Sequence, residues 1–115
     1  MMNFTEFTKS KLRNQWIKEP HMQVYVRKSR RFVNDELIPC FDVASIQVKE
    51  SHQGKGLFTN FLKMVEEYSA ENSLIVFVES VLNVRLRKFL ERNGYIHHPS
   101  TSEICPSYYK PAKTT

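Results

Sequence analysis

The chain has 115 residues, 41% hydrophobic and 12% aromatic, which suits one globular domain over residues 1–115 and requires neither disulfide staples nor a structural metal. No window approaches the roughly 18 consecutive apolar residues of a membrane span, the first residues lack the pattern of a secretory signal, and Cys40 and Cys105 stand apart with no Cys or His at zinc spacing. Membrane, secreted and metal classes are therefore not expected, a cytoplasmic address is, and the net charge of +5 points to phosphate-bearing or acidic partners.

Asn3, with Glu6 three residues on, reads as a helix N-cap. Phe4, Phe7, Thr8, Leu12 and Trp16 follow at helical spacing until Pro20 stops the run. Met22, Val24 and Val26 alternate with polar residues as a half-buried strand does, and the basic segment from Lys28 to Arg31 reads as a turn before a short partner strand at Phe32. Asn34-Asp35-Glu36 is a second turn. In the extended stretch Cys40 to Val48, period two places Asp42, Ala44, Ile46 and Val48 on one face and Phe41, Val43, Ser45 and Gln47 on the other.

A polar loop from Lys49 to Gly56 then opens into the clearest helix of the chain, with Leu57, Phe58, Phe61, Leu62, Val65 and Tyr68 on one side. Leu74 to Val78 is uniformly apolar and β-branched, the pattern of a central strand covered on both faces by helices. Asn83 is positioned to cap a further helix that turns Leu86, Phe89 and Leu90 inward and ends at Asn93-Gly94. Tyr95 to His97 begins another strand, and the segment Glu103 to Lys110, interrupted by Pro106, reads as the last one before a polar tail.

The strand, glycine-bearing loop and helix around Gln53-Gly54-Lys55-Gly56 form a device for holding phosphate. The unpaired amides of the first helical turn and the helix dipole both point at an anion, glycine lets the backbone approach it, and Lys55 adds a positive charge. A nucleoside-triphosphate loop would need Ser or Thr after Lys55, and a dinucleotide fingerprint would need glycine at Thr59. A tight turn that uses glycine only for its geometry is the plainer reading.

Gln53-Gly54-Lys55-Gly56-Leu57-Phe58 is similar to the Arg/Gln-x-x-Gly-x-Gly/Ala loop of the GNAT N-acetyltransferases, with Phe58 in place of the final small residue. The run from Asn83 to Tyr95 resembles that family's second pattern, Asn-x-x-Ala-x-x-Phe-Tyr-Glu-Lys-x-Gly-Phe, with Asn83, Phe89, Glu91 and Gly94 in register. The resemblance covers roughly Pro39 to Tyr109. It implies a mixed α/β (α+β) fold with a mainly antiparallel, twisted sheet flanked by helices on both faces. It implies acetyl-CoA as co-substrate, no metal, and transfer of an acetyl group to a primary amine of a small molecule or protein. Small domains of this kind often pair, so a homodimer is an open expectation.

The same resemblance implies that backbone groups of Ile46 and Val48 line the pantetheine arm, that Gln53, Gly54, Lys55 and Gly56 cradle the diphosphate, and that Asn83 and Phe89 contact the cofactor. Asn83 is equally a plain helix cap. Asp42, expected on the same face as Ile46, and Glu79, at the carboxyl end of the apolar strand, are the candidate bases; a structural or solvated carboxylate is the alternative for each. Leu90 stands where many relatives carry the Tyr that protonates the thiolate, so Tyr108 and Tyr109 on the last strand are the candidate acids. A catalytically silent coenzyme-binding module, and below it a basic nucleic-acid-binding protein built on Arg27 to Arg31 with Tyr25 and Phe32, are the competing functions.

Overall fold

A computed structural model describes residues 2–79, 81, 84–98 and 106–110. In chain order these form α1 (Phe4–Lys9), β1 (Asn14–Glu19), β2 (Met22–Val33), β3 (Glu36–Val48), a short 3-10 turn (Glu50–His52), α2 (Leu57–Glu71), β4 (Ile75–Val78), α3 (Val84–Arg92), β5 (Ile96–His97) and β6 (Tyr108–Lys110). The six strands make one sheet in the order β1-β2-β3-β4-β6-β5, in which only β3 and β4 run parallel.

The capping box forms as the sequence asks: Glu6 N donates to Asn3 Oδ1 at 2.9 Å, and Asn3 N donates to Glu6 Oε1 at 3.1 Å. The helix is shorter than its spacing suggested. It stops at Lys9, where Lys28 reaches across from β2 to close the chain end, its Nζ donating to the carbonyls of Phe7 at 3.2 Å and Ser10 at 2.9 Å. Trp16 lies in a strand instead, paired with Tyr25 across the β1–β2 hairpin.

The basic segment from Lys28 to Arg31 is not a turn but the middle of a 12-residue strand. Its alternation is orderly: Lys28 points to the helices, while Arg27, Ser29 and Arg31 point the other way. The chain reverses at Asn34-Asp35, both left-handed at φ 51° and 65°, between the paired Val33 and Glu36. Two left-handed residues make a type I′ hairpin, whose preferred second residue is glycine. Asp35→Gly is expected to raise stability by about 0.5 kcal/mol, read as a higher urea midpoint with unchanged slope; a lowered midpoint counts against this turn geometry.

One irregularity in β3 reorganises the sheet. Tyr25 pairs with Ser45 and the next residue, Val26, pairs with Val43, so Ala44 is an extra residue without a partner, a β-bulge. The strict alternation expected from Cys40 to Val48 therefore fails at Ala44. Phe41 and Val43 lie in the main core and Ile46 and Val48 pack against it, whereas Asp42 emerges on the opposite face beside Cys40. Asp42 and Ile46, expected on one face, lie on two.

The main core joins Val24, Val26, Phe41 and Val43 of the sheet to residues from all three helices. At its centre Phe4 and Phe7 of α1 meet Phe41 edge to face, with ring centroids 5.7 and 6.0 Å apart, and Phe4 also meets Phe61 and Tyr68 of α2. The second face carries a smaller cluster around Cys40, Ile75, Phe77 and Tyr109 that contains no helical residue among those described. β4 is buried on both sides as its composition predicts. Its second side, however, is covered by the Arg31 guanidinium, 4.1 Å from the Phe77 ring centroid, and by Tyr109 and His98, where a second helical layer was expected.

Candidate active site

Parallel pairing of β3 with β4 runs from Cys40 and Ile75 to Val43 and Val78, and is closed by Glu79 N donating to Val43 O at 3.0 Å. There β4 ends. β3 continues through the bulge to Val48, so among the described residues its last ones have no strand partner on that side and the sheet opens into a wedge. Exposed main-chain groups of this kind are what an extended ligand pairs with when it adds to a sheet as a strand does.

A cleft of about 500 Å³ extends from the wedge on the helix side. Ile46 and Val48 form its floor, Gln53, Gly54 and Gly56 its mouth, Phe58 and Thr59 one wall, and Arg85, Leu86 and Phe89 the other. Of the residues that the sequence assigns to the cofactor, Ile46, Val48, Gln53, Gly54, Gly56 and Phe89 line this cleft; Phe58, Thr59, Arg85 and Leu86 line it without having been assigned. Lys55 is exposed at the rim and contributes charge without lining the cleft. Asn83 lies outside the described residues.

Gly54 and Gly56 are left-handed, at φ 76° and 79°, and a Cβ on either would meet nothing within 4 Å. Gly56 caps α2, whose ladder starts with Asn60 N donating to Gly56 O at 3.0 Å, so the amides of Leu57, Phe58 and Thr59 precede it. Gln53 is committed to the loop itself, its Nε2 donating to Val48 O at 3.2 Å. This contact ties the loop to the end of β3.

On the other face, at the apex of the wedge, the two candidate bases meet. The Asp42 carboxylate, 1% exposed, accepts from Ser29 Oγ at 2.7 Å and from Arg31 Nε and Nη2 at 3.2 and 3.1 Å, with Arg27 Nε 3.5 Å away. Glu79 contacts Nη2 of both Arg27 and Arg31 and keeps 18% of its side chain exposed. Burial and the negative charge of Asp42 push the Cys40 thiol up to about 11, so Cys40 is a protonated structural thiol; Cys105 lies outside the described residues. The sequence reading offers Arg27 and Arg31 only as part of a nucleic-acid-binding surface, with Arg31 in an expected turn, and not as partners of Asp42 and Glu79. Buried residues alternate from Met22 to Val26 and the period is then lost until Val33, so the pairing with β3 is what locates the two arginines.

The two candidate acids separate. Tyr109 lies on the second face with its ring stacked on Phe77 at 6.0 Å, and Tyr108 lies on the helix face, its hydroxyl donating to Glu91 Oε1 at 2.9 Å. Burial and that hydrogen bond raise the Tyr108 pKa. Leu90 is 0% exposed in the main core. Neither tyrosine lines the cleft.

No family model and no curated protein matches the chain. Solved structures do. It is similar to AtaT in complex with acetyl-methionyl-tRNAfMet, with 19% identity and a TM-score of 0.56 over 78% of this chain and 61% of that one. A mutant AtaT toxin bound to acetyl-CoA and the C-terminus of the antitoxin AtaR gives 21% identity and a TM-score of 0.54, over 78% of this chain and 57% of that one. A GNAT-family acetyltransferase from Bordetella pertussis gives 16% and 0.51 over 77% and 55%. The chain has the fold of the GNAT acetyltransferases. It spans a little over half the length of these GNAT structures. None of the described helices is long and apolar enough to cross a membrane.

Proposed function

We propose that the chain is an acetyl-CoA-dependent N-acetyltransferase acting on a primary amine of a small molecule or protein. The observation that carries the proposal is the wedge between β3 and β4, with a glycine loop and a helix start at one end and a carboxylate–arginine cluster at its apex. Acetyl-CoA, when bound, supplies a thioester whose carbonyl carbon is open to attack.

The fit rests on complementary parts. The left-handed glycines leave open space beside the start of α2, whose first-turn amides precede its hydrogen-bond ladder, which suits a diphosphate. Ile46 and Val48 offer main-chain groups for an extended amide-bearing arm, and Phe58, Leu86 and Phe89 an apolar wall. The amine nitrogen forms the new C–N bond as the C–S bond breaks. Its surplus proton leaves toward Glu79, directly or through one water, and the thiolate takes a proton from water. Glu79 is preferred over Asp42 because every Asp42 oxygen already accepts from Ser29 or Arg31, whereas Glu79 remains reachable by solvent.

Coenzyme binding is tested by thermal shift with acetyl-CoA, coenzyme A and ATP. Both coenzyme forms are expected to stabilise the protein by about 2.7 kcal/mol at a hundredfold excess over Kd, and ATP to do far less. A shift with ATP alone would reject the reading. A second reading, a silent coenzyme-binding module, is favoured by the burial of Leu90 and the engagement of Tyr108 with Glu91. Acetyl release measured over an amine panel separates the two. Because AtaT is seen with acetyl-methionyl-tRNAfMet, the panel includes an aminoacyl-RNA amine as well as polyamines, amino acids and protein lysines.

A further inference from the structure

The loop that opens the cleft is backed by a pair of histidines with no assigned role. His52 ends the 3-10 turn and lines the cleft; His21 occupies the β1–β2 turn, 31 positions earlier in the chain. Their rings stack face to face, with centroids 3.6 Å apart and planes 11° apart. Both are fixed by neighbours. Ser51 Oγ lies 2.8 Å from His52 Nδ1, and His21, left-handed at φ 62°, accepts at its carbonyl from Lys49 N at 2.9 Å.

The charges around the stack are mostly of one sign. Lys49 and Lys55 come from the loop and Lys18 from β1. The acids nearby are Glu19, which accepts from Phe4 N at 2.8 Å, and Glu50 at the start of the 3-10 turn. Loss of solvent, then His52, Lys49 and Lys55, hold the His21 pKa below its ordinary value. In the free protein a second positive charge in this stack is disfavoured. An anion at the glycine loop reverses the balance: His52 lines the cleft and meets it there, and His21 feels it through the stack.

We infer that His21 and His52 act as a proton-coupled contact for the diphosphate of the bound ligand, so that binding at the glycine loop takes up a proton at the histidine pair. The inference rests on the coenzyme reading above. Linkage fixes its sign: a group whose pKa rises on binding makes the complex tighter as pH falls, by about tenfold for each unit of that rise. It also gives His21, from outside the loop, a part in choosing phosphate ligands over neutral ones of the same shape.

The test uses coenzyme A and dephospho-coenzyme A, titrated by calorimetry from pH 8 to pH 6. The second ligand is essential, since it lacks the phosphomonoester that itself ionises near pH 6. Dephospho-coenzyme A is expected to bind three- to tenfold more tightly at pH 6 than at pH 8. The dependence should flatten in His52→Gln and in His21→Asn, where asparagine tolerates the left-handed backbone. If either variant melts early, the other carries the comparison. Binding of the unmodified chain that is independent of pH would overturn this inference alone; no binding of either ligand at any pH would remove the coenzyme reading and this inference with it.

Discussion

Gly56→Val is expected to weaken coenzyme A binding by about a hundredfold or more while the chain still folds. The two effects have separable causes. At φ 79° a β-branched residue costs about 1–2 kcal/mol of backbone strain. No protein atom stands within 4 Å of the new Cβ, so no clash adds to that cost. The side chain instead takes up space in the cleft that Gly56 lines, at the start of α2. Losing two or three hydrogen bonds to a diphosphate, each charge-assisted and worth about 1.5–3 kcal/mol, exceeds the roughly 2.7 kcal/mol of a hundredfold change.

Gly94→Val is the matched control. Gly94 is left-handed too, at φ 86°, and a Cβ there would stand 4.0 Å from Lys110 Cε, but it closes α3 away from the cleft. The substitution should lower stability by a similar amount and leave the affinity for coenzyme A unchanged. Equal losses of affinity in both variants would mean that Gly56 acts only through stability, and the phosphate role of the loop would be abandoned.

The order of the helices and strands from Ile46 to Tyr95 was legible because each junction carries a local signal: glycines before α2, apolar β-branched residues in β4, Asn93-Gly94 after α3. The site elements on the cleft side follow from them. Two features depend on pairing rather than on local pattern. The bulge at Ala44 is invisible in composition, since Ala44 and Ser45 carry no turn signal, yet it reverses the face of every residue after it and parts Asp42 from Ile46. The length of β2 was hidden for the opposite reason. Four consecutive polar residues, Lys28 to Arg31, read as a turn until β3 supplies an acid for Arg27 and Arg31, and α1 supplies carbonyl groups for Lys28.

Glu79→Gln is expected to lower kcat for acetyl transfer by about a hundredfold, with the KM for acetyl-CoA unchanged. General-base catalysis contributes about 10²–10⁴, and the expectation is set at the lower end because the carboxylate also contacts two guanidiniums. The substitution is nearly isosteric and only 18% of the side chain is exposed, so the arginines keep an oxygen to contact and the fold holds. Asp42→Asn should behave in the opposite way. Its oxygens are buried among Ser29 and Arg31, and an amide NH₂ turned toward either would leave donors facing donors, at a cost of about 2–3 kcal/mol in stability. Turnover per folded molecule should then fall far less than in Glu79→Gln. The reverse pattern, with a stable Asp42→Asn that is inactive and a fully active Glu79→Gln, would move the proton transfer to Asp42 and would require Arg31 to release it during the reaction.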